Sequence, residues 1–288
     1  MPIERFQLAE HPWLSLLIVI LAEGAGQILS GVLVIGLFKR PRDAPLTNFS
    51  VALLGHVAVL FVLVPFVLEL PGGTCSFSAY VDAIRLSQVQ PFLQLLLLSL
   101  SCYLILALCQ VSGTLVYRAS KGKPITYAFI RSTLDLSWEL PPKSWGWLVS
   151  LPSILEEVAF RGVVLSVFLS KYPEQPAILF TALGFGAIHL LNMASGREPV
   201  WVLGQVLWST ILGIFYGFVV LKSGSLWPAM LVHYLGNLFV GSLTSYVQAS
   251  ASIQTQAVYG TIFSFGLVPT TLMILWVFLF TALWPITG

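Results

Sequence analysis

The segment PSILEEVAFR, residues Pro152–Arg161, places two adjacent carboxylates and an arginine inside a run of apolar residues long enough to cross a lipid bilayer. Ionisable side chains near the centre of a bilayer cost about 2.5–3.5 kcal/mol each even on lenient scales, so they are kept where they have a partner or a task. The segment therefore predicts a polar functional site within a membrane helix.

The composition of the whole chain agrees with a membrane location. Hydrophobic residues make up 57% of the 288 residues, charged residues only 9%, and the mean hydropathy is +0.89. This leaves too little polar surface for a water-soluble protein of this size, and membrane lipid is the expected surrounding. The net charge of +2 comes without a long basic stripe, which argues against a nucleic-acid partner.

Apolar runs recur along the chain and predict an all-α, polytopic membrane protein with about eight transmembrane helices around an intramembrane polar cavity. We treat residues 1–288 as a single integral-membrane domain, with a motif-bearing core at about 144–248. The predicted spans are approximately 14–38, 49–70, 91–117, 144–170, 175–192, 200–221, 226–248 and 257–284.

Lysine and arginine are concentrated in alternate loops. The first loop contains Lys39, Arg40 and Arg42, and the third contains a further basic group that begins at Arg118. By the positive-inside rule, the odd-numbered loops are cytoplasmic. We expect a multi-pass protein of the plasma (inner) membrane whose site opens towards the cytoplasm.

The two adjacent glutamates have different surroundings on a helix. Glu157 and Arg161 are four residues apart and share a face, whereas Glu156 is turned about 100° away. Glu157 is therefore predicted to stay ionised and to have a structural role. Glu156, which lacks its own counterion, is predicted to exchange a proton as a general base. Pro152 should start or kink this helix and leave room for water. The alternative is a purely structural salt-bridge network.

Two further apolar spans carry isolated polar residues. His189 ends the run FGAIH after Gly184 and Gly186, and His233 and Asn237 are four residues apart in HYLGN. Three helices can thus direct a carboxylate, two imidazoles and an amide towards one point.

Three other polar residues in predicted spans are assigned to packing. His56 is expected to be a hydrogen-bonded packing residue. Glu23 and Gln27 have an interface or packing role, with a place in the cavity wall as their alternative.

This combination of side chains fits hydrolysis of a peptide bond. Glu156 and His189 can hold and deprotonate a water, while His233 and Asn237 donate hydrogen bonds to the oxyanion. Glu156, His189 and His233 could instead bind Zn²⁺, which would acidify the water itself. A proton relay in an ion-coupled transporter and a non-catalytic membrane scaffold are the alternatives.

In this order, the motifs EExxxR (Glu156–Arg161), FxxxH (Phe185–His189) and HxxxN (His233–Asn237) resemble the CAAX prenyl protease type II family, also called the CPBP or Abi family of intramembrane proteases. The resemblance implies an intramembrane endopeptidase. Its substrate would be a peptide or protein, and a lipidated C-terminus is compatible with this family.

The same resemblance implies a role for each motif residue. Glu156 would be the catalytic glutamate, with His189 as its partner on the water. His233 and Asn237 would bind the oxyanion. The supporting residues would be Glu157, Arg161 and Phe185. Members are often labelled metalloproteases, but a metal-independent glutamate mechanism has also been proposed for them, so the cofactor stays open between none and Zn²⁺.

Overall fold

The computed structural model describes residues 10–39, 45–67, 76–134, 150–193 and 196–286, and every regular element in these ranges is a helix. Several of the helices contain π-helical segments, in which the backbone winds more widely than in an α-helix. The elements in chain order are α1 (Pro12–Gly31, continuing as a π-helix over Val32–Leu37), α2 (Pro45–Ala58, continuing over Val59–Leu63 and Val64–Val67), α3 (Phe77–Ala83), α4 (Phe92–Ser120), α5 (Tyr127–Leu134), α6 (Pro152–Glu157, continuing as a π-helix over Val158–Val164 and ending as Leu165–Leu169), α7 (Glu174–Ile188, with a 3₁₀ turn over His189–Met193), α8 (Pro199–Ser223), α9 (Trp227–Ser250), α10 (Ile253–Tyr259, continuing over Gly260–Ser264) and α11 (Leu267–Leu283).

These helices confirm the predicted all-α, multi-pass membrane architecture. Among the described residues, five helical stretches are long and apolar enough to cross a bilayer, and Phe49–Leu63 is a shorter apolar helix. The count of eight spans stays a prediction. The predicted fourth span covers residues 144–170, and its first residues, 144–149, lie outside the described ranges. The five stretches are Pro12–Leu37, Phe92–Ser120, Glu174–Met193, Pro199–Ser223 and Ile253–Leu283.

The outer surface of the helices is apolar, as contact with lipid requires. On α1, Leu21, Ile28 and Leu29 are exposed, and on α11 Leu275 and Leu283 are exposed in the same way. In a water-soluble protein such a continuous apolar surface would mark an interaction site or an aggregation risk. In a bilayer it is the surface that faces the acyl chains.

Helix α6 lies in the interior of the helix assembly. Its first part packs against α2 and α9, and its π-helical segment packs against α1, α7 and α8. The interior there contains fully buried aromatic and aliphatic side chains such as Phe168, Phe215 and Leu165. Two charged side chains, Glu157 and Arg161, are also buried completely in this region. The fold therefore brings the PSILEEVAFR segment to the centre of the protein.

Glycines allow the helices around α6 to approach closely. In the GxxxG motif of α8, a Cβ at Gly213 would lie 2.8 Å from Nη2 of Arg161, and one at Gly217 would lie 3.1 Å from Ile178. On α7, a Cβ at Gly186 would lie 2.7 Å from the carbonyl oxygen of Val206. Small residues at these positions therefore allow the close helix contacts around α6.

Gly213→Ala tests whether this close approach matters. We expect a lower unfolding temperature, because the added methyl group meets both Arg161 and the backbone of Ala182 at 3.2 Å. Gly24→Ala is the matched control, since a Cβ there has no atom within 4 Å and alanine is intrinsically better than glycine in a helix. An equal or higher unfolding temperature for Gly213→Ala would contradict the packing described here.

Candidate active site

The two glutamates lie at the end of the first segment of α6. Pro152 occupies the first turn of this helix, where its missing N–H costs no hydrogen bond, as the sequence predicted. Immediately after Glu157 the backbone changes to a π-helix over Val158–Val164. Short π-helical segments are rare and are frequent at functional sites. This change of winding occurs at the boundary between the carboxylates and Arg161.

Glu157 is paired twice. Its Oε1 accepts a hydrogen bond of 3.1 Å from Nη1 of Arg161, which confirms the predicted i,i+4 pair. The same oxygen lies 2.7 Å from Nδ1 of His233 on α9. A carboxylate can only accept, so Nδ1 of His233 carries the hydrogen of this bond. Glu157 therefore joins α6 to α9 and fixes the orientation of the imidazole.

Arg161 is enclosed by aromatic rings. Its side chain is fully buried, and its guanidinium carbon lies 4.1 Å from the ring centre of Phe185 and 5.1 Å from that of Tyr216. Nε and Nη2 of Arg161 have no hydrogen-bond partner among the described residues. Desolvated cation–π contacts contribute about 2 kcal/mol each, so the two rings offset part of the cost of burying this charge.

Glu156 differs from Glu157 in its exposure. Its side chain is 32% exposed, whereas that of Glu157 is 0% exposed. Oε2 of Glu156 lies 3.9 Å from Nε2 of His233, too far for a direct hydrogen bond. A gap of this size is compatible with a water that contacts both groups.

His233 is held on several sides. Tyr216 stacks on the imidazole with ring centres 5.1 Å apart, and Phe185 approaches edge-on at 5.9 Å. With Nδ1 bound to Glu157, the remaining nitrogen of the ring, Nε2, is directed towards Glu156. The three sequence motifs do not include Tyr216, and the one sequence signal for it is its place as a polar residue between the two glycines of GxxxG in α8.

His189 joins the same group of residues from α7. It begins the 3₁₀ turn after α7, is partly buried, and packs edge-on against Phe185 at 5.4 Å. It interacts electrostatically with Glu156, His233 and Arg161. The three motifs therefore converge through Phe185, which contacts both imidazoles and the guanidinium.

Asn237 has a different environment from His233. It lies one turn further along α9, and its side chain is exposed. The predicted role in binding an oxyanion stays a prediction for this residue.

A second buried carboxylate and imidazole lie beside the motif residues. Oε2 of Glu23 on α1 is 2.6 Å from Nδ1 of His56 on α2, and both side chains are buried. The sequence predicts a packing role for His56 and an interface or packing role for Glu23 and Gln27, with a place in the cavity wall as the alternative for the last two; the side chain of Gln27 is exposed. Both members of the pair interact electrostatically with Glu156.

A zinc ion does not fit the described residues in this arrangement. No group of three or more His, Cys, Asp and Glu side chains among them is arranged to hold a metal ion. The mechanism proposed below therefore includes no metal ion. Zinc binding by Glu156, His189 and His233 stays a prediction.

Arg161→Leu tests the buried ion pair. Removing one partner of a buried pair costs about 3–5 kcal/mol, because it leaves an uncompensated charge, here on Glu157. We expect a large drop in the unfolding temperature in detergent. Arg197→Leu is the control, since Arg197 is exposed and such surface changes stay within about 0.5 kcal/mol. Similar unfolding temperatures for the two variants would contradict the role given to Arg161.

A comparison with protein families agrees with this arrangement. The model of the family described as Type II CAAX prenyl endopeptidase Rce1-like matches residues 138–239, a range that contains all three motifs. No curated protein and no solved structure matches the chain. The match confirms the resemblance seen in the motifs and supports a protease of the CAAX type. Residues 138–239 of this integral membrane protein are therefore similar to the Rce1-like family of type II CAAX prenyl endopeptidases.

Proposed function

We propose that this protein is an intramembrane endopeptidase that hydrolyses a peptide bond with a water activated by Glu156. One observation carries the proposal: Glu156 is partly exposed and lies 3.9 Å from Nε2 of His233, while its neighbour Glu157 is buried and paired twice at 3.1 Å or less. A general base needs access to water and a carboxylate that is free to accept a proton. Only the first of the two glutamates meets both conditions.

The first step is addition of water to the peptide carbonyl. Glu156 takes one proton from the water as its oxygen bonds to the carbonyl carbon, and negative charge develops on the carbonyl oxygen. His189 contributes a second polar contact for the water from the side of α7. Holding the water between two side chains makes the attack effectively intramolecular.

The second step is breakdown of the tetrahedral intermediate. When Nε2 of His233 carries a proton it can donate a hydrogen bond to the oxyanion, and Glu157 holds the ring for this task through Nδ1. The carbon–nitrogen bond then breaks, and Glu156 returns its proton to the leaving amine. The products are a carboxylic acid and an amine. They leave as a carboxylate and an ammonium group once the acid passes its proton to the amine, and the site is restored.

The substrate in this proposal is a peptide segment with a lipid-modified C-terminus. The family match supports a prenylated peptide or protein as the substrate class. A lipid anchor would hold such a segment at the membrane, next to an enzyme whose outer surface is apolar. We further propose that the site opens towards the cytoplasm, on the basis of the distribution of basic loops.

The family match favours hydrolysis over the two alternatives. An ion-coupled transporter would use the same glutamate and histidines as a proton path, and a scaffold would use none of them chemically. Cleavage of a defined peptide by the purified protein separates both from a protease.

Glu156→Gln should abolish cleavage and leave the fold intact, because the side chain keeps its size but loses the base. We expect a fall in kcat of about 10²–10⁴-fold, measured with an internally quenched peptide that ends in a farnesylated CaaX sequence. Glu174→Gln is the matched control, since Glu174 is exposed at the start of α7. Undiminished turnover by Glu156→Gln would reject the assignment.

Removal of metal ions tests how the water is activated. With Glu156 as the base, we expect cleavage of the same peptide to persist after treatment with a chelator and exchange into metal-free buffer. Loss of activity that is restored by Zn²⁺ would instead support the zinc alternative. Addition of Mg²⁺ in place of Zn²⁺ controls for a general effect of divalent cations.

A further inference from the structure

Helices α1 and α2 cross at two glycines. A Cβ at Gly26 would lie 3.0 Å from the carbonyl oxygen of Gly55, and one at Gly55 would lie 2.9 Å from the backbone nitrogen of Gln27. Any larger residue at either position would push the helices apart. Glu23 is one turn before Gly26 and His56 directly follows Gly55, so this crossing is what allows Glu23 and His56 to approach within 2.6 Å.

The two side chains of this pair are buried away from lipid. Glu23 is 3% exposed and His56 is 6% exposed. Neither oxygen of Glu23 nor Nδ1 of His56 has a hydrogen bond of good geometry among the described residues, so their contact is an ion pair, and the nearby hydroxyl of Tyr80 has no hydrogen-bond partner there either. Polar groups are rarely buried in a membrane protein only to connect two helices that already pack through glycines.

The pair lies next to the site described above. Helix α2 packs on the first segment of α6, and α1 packs on its π-helical segment. Glu156 interacts electrostatically with Glu23 and with His56. With Nδ1 of His56 held at Glu23, Nε2 is the nitrogen left for another partner. Glu156 therefore interacts with two imidazoles that are each paired with a carboxylate. One is His233 on α9, paired with Glu157, and the other is His56 on α2, paired with Glu23.

We propose that the Glu23–His56 pair is a positioning pair for Glu156: His56 cancels the charge of Glu23 and so prevents that charge from displacing the base of the proposed protease. This inference rests on the proposed function. Two carboxylates that share a poorly solvated site repel each other, and the more exposed of the two moves away. Without His56, Glu23 would act on Glu156 in this way.

The charge argument makes an unusual prediction about variants. His56→Gln leaves Glu23 uncompensated beside Glu156, whereas Glu23→Gln/His56→Gln removes both charges and keeps polar side chains of similar size. The double variant should therefore be more active than the single one. A pair that only fastened α1 to α2 would show no recovery, since neither variant retains the contact.

The kinetic experiment uses the full chain in nanodiscs with the farnesylated, internally quenched peptide. We expect His56→Gln to lower kcat roughly tenfold with little change in KM, and the double variant to regain most of this loss. His11→Gln, the same substitution at an exposed histidine, should have wild-type kcat. A double variant no faster than His56→Gln would overturn the inference.

A second measurement keeps the inference testable without cleavage. His56→Gln is introduced into the wild-type chain and into the Glu156→Gln chain. In each case the unfolding temperature is compared with that of the chain without His56→Gln. If Glu23 and Glu156 repel each other once His56 is lost, the drop should be larger in the wild-type chain by about 2–4 °C. Equal drops in the two backgrounds would overturn the inference. Unequal drops in a protein that cleaves no peptide would reject the proposed function but support the pairing.

Discussion

Glu157 holds the motif helices together, because one of its oxygens contacts both Arg161 and His233. A buried ion pair contributes little net stability, because the cost of removing both charges from water is close to their attraction. Its value here is specificity, since any shift of α6 against α9 would leave a charge without its partner. One oxygen of Glu157, 3.1 Å from Arg161 and 2.7 Å from His233, therefore fixes two side chains of the site at once.

The backbone makes this arrangement possible at two points. Gly213 lets α8 approach so closely that a Cβ there would lie 2.8 Å from Nη2 of Arg161, which leaves the guanidinium between Phe185 and Tyr216. The π-helical segment that begins at Val158 changes the angle between the glutamates and the residues after them. The rings offset part of the cost of a charge with two unpartnered nitrogen atoms.

Local features of the site were predictable from the sequence, and its long-range pairings were not. The i,i+4 pairing of Glu157 with Arg161, Pro152 at the start of α6 and the close helix contacts follow from helical periodicity and residue size. The partner of His233 lies 76 residues away and depends on how α9 packs on α6. The pairing of Glu23 with His56 likewise depends on a helix crossing, and the π-helical segment has no sequence signature that we recognise.

Three glutamates lie in this interior, and one of them has different surroundings from the other two. Glu157 is compensated by Arg161 and His233, and Glu23 by His56, in each case within 3.1 Å. Glu156 has only the more distant Nε2 of His233 among the described residues, at 3.9 Å, and it is the one of the three that is not buried. Compensating two neighbouring carboxylates removes much of their repulsion from the third. In the proposed reaction, this leaves Glu156 to bind the proton that the attacking water releases.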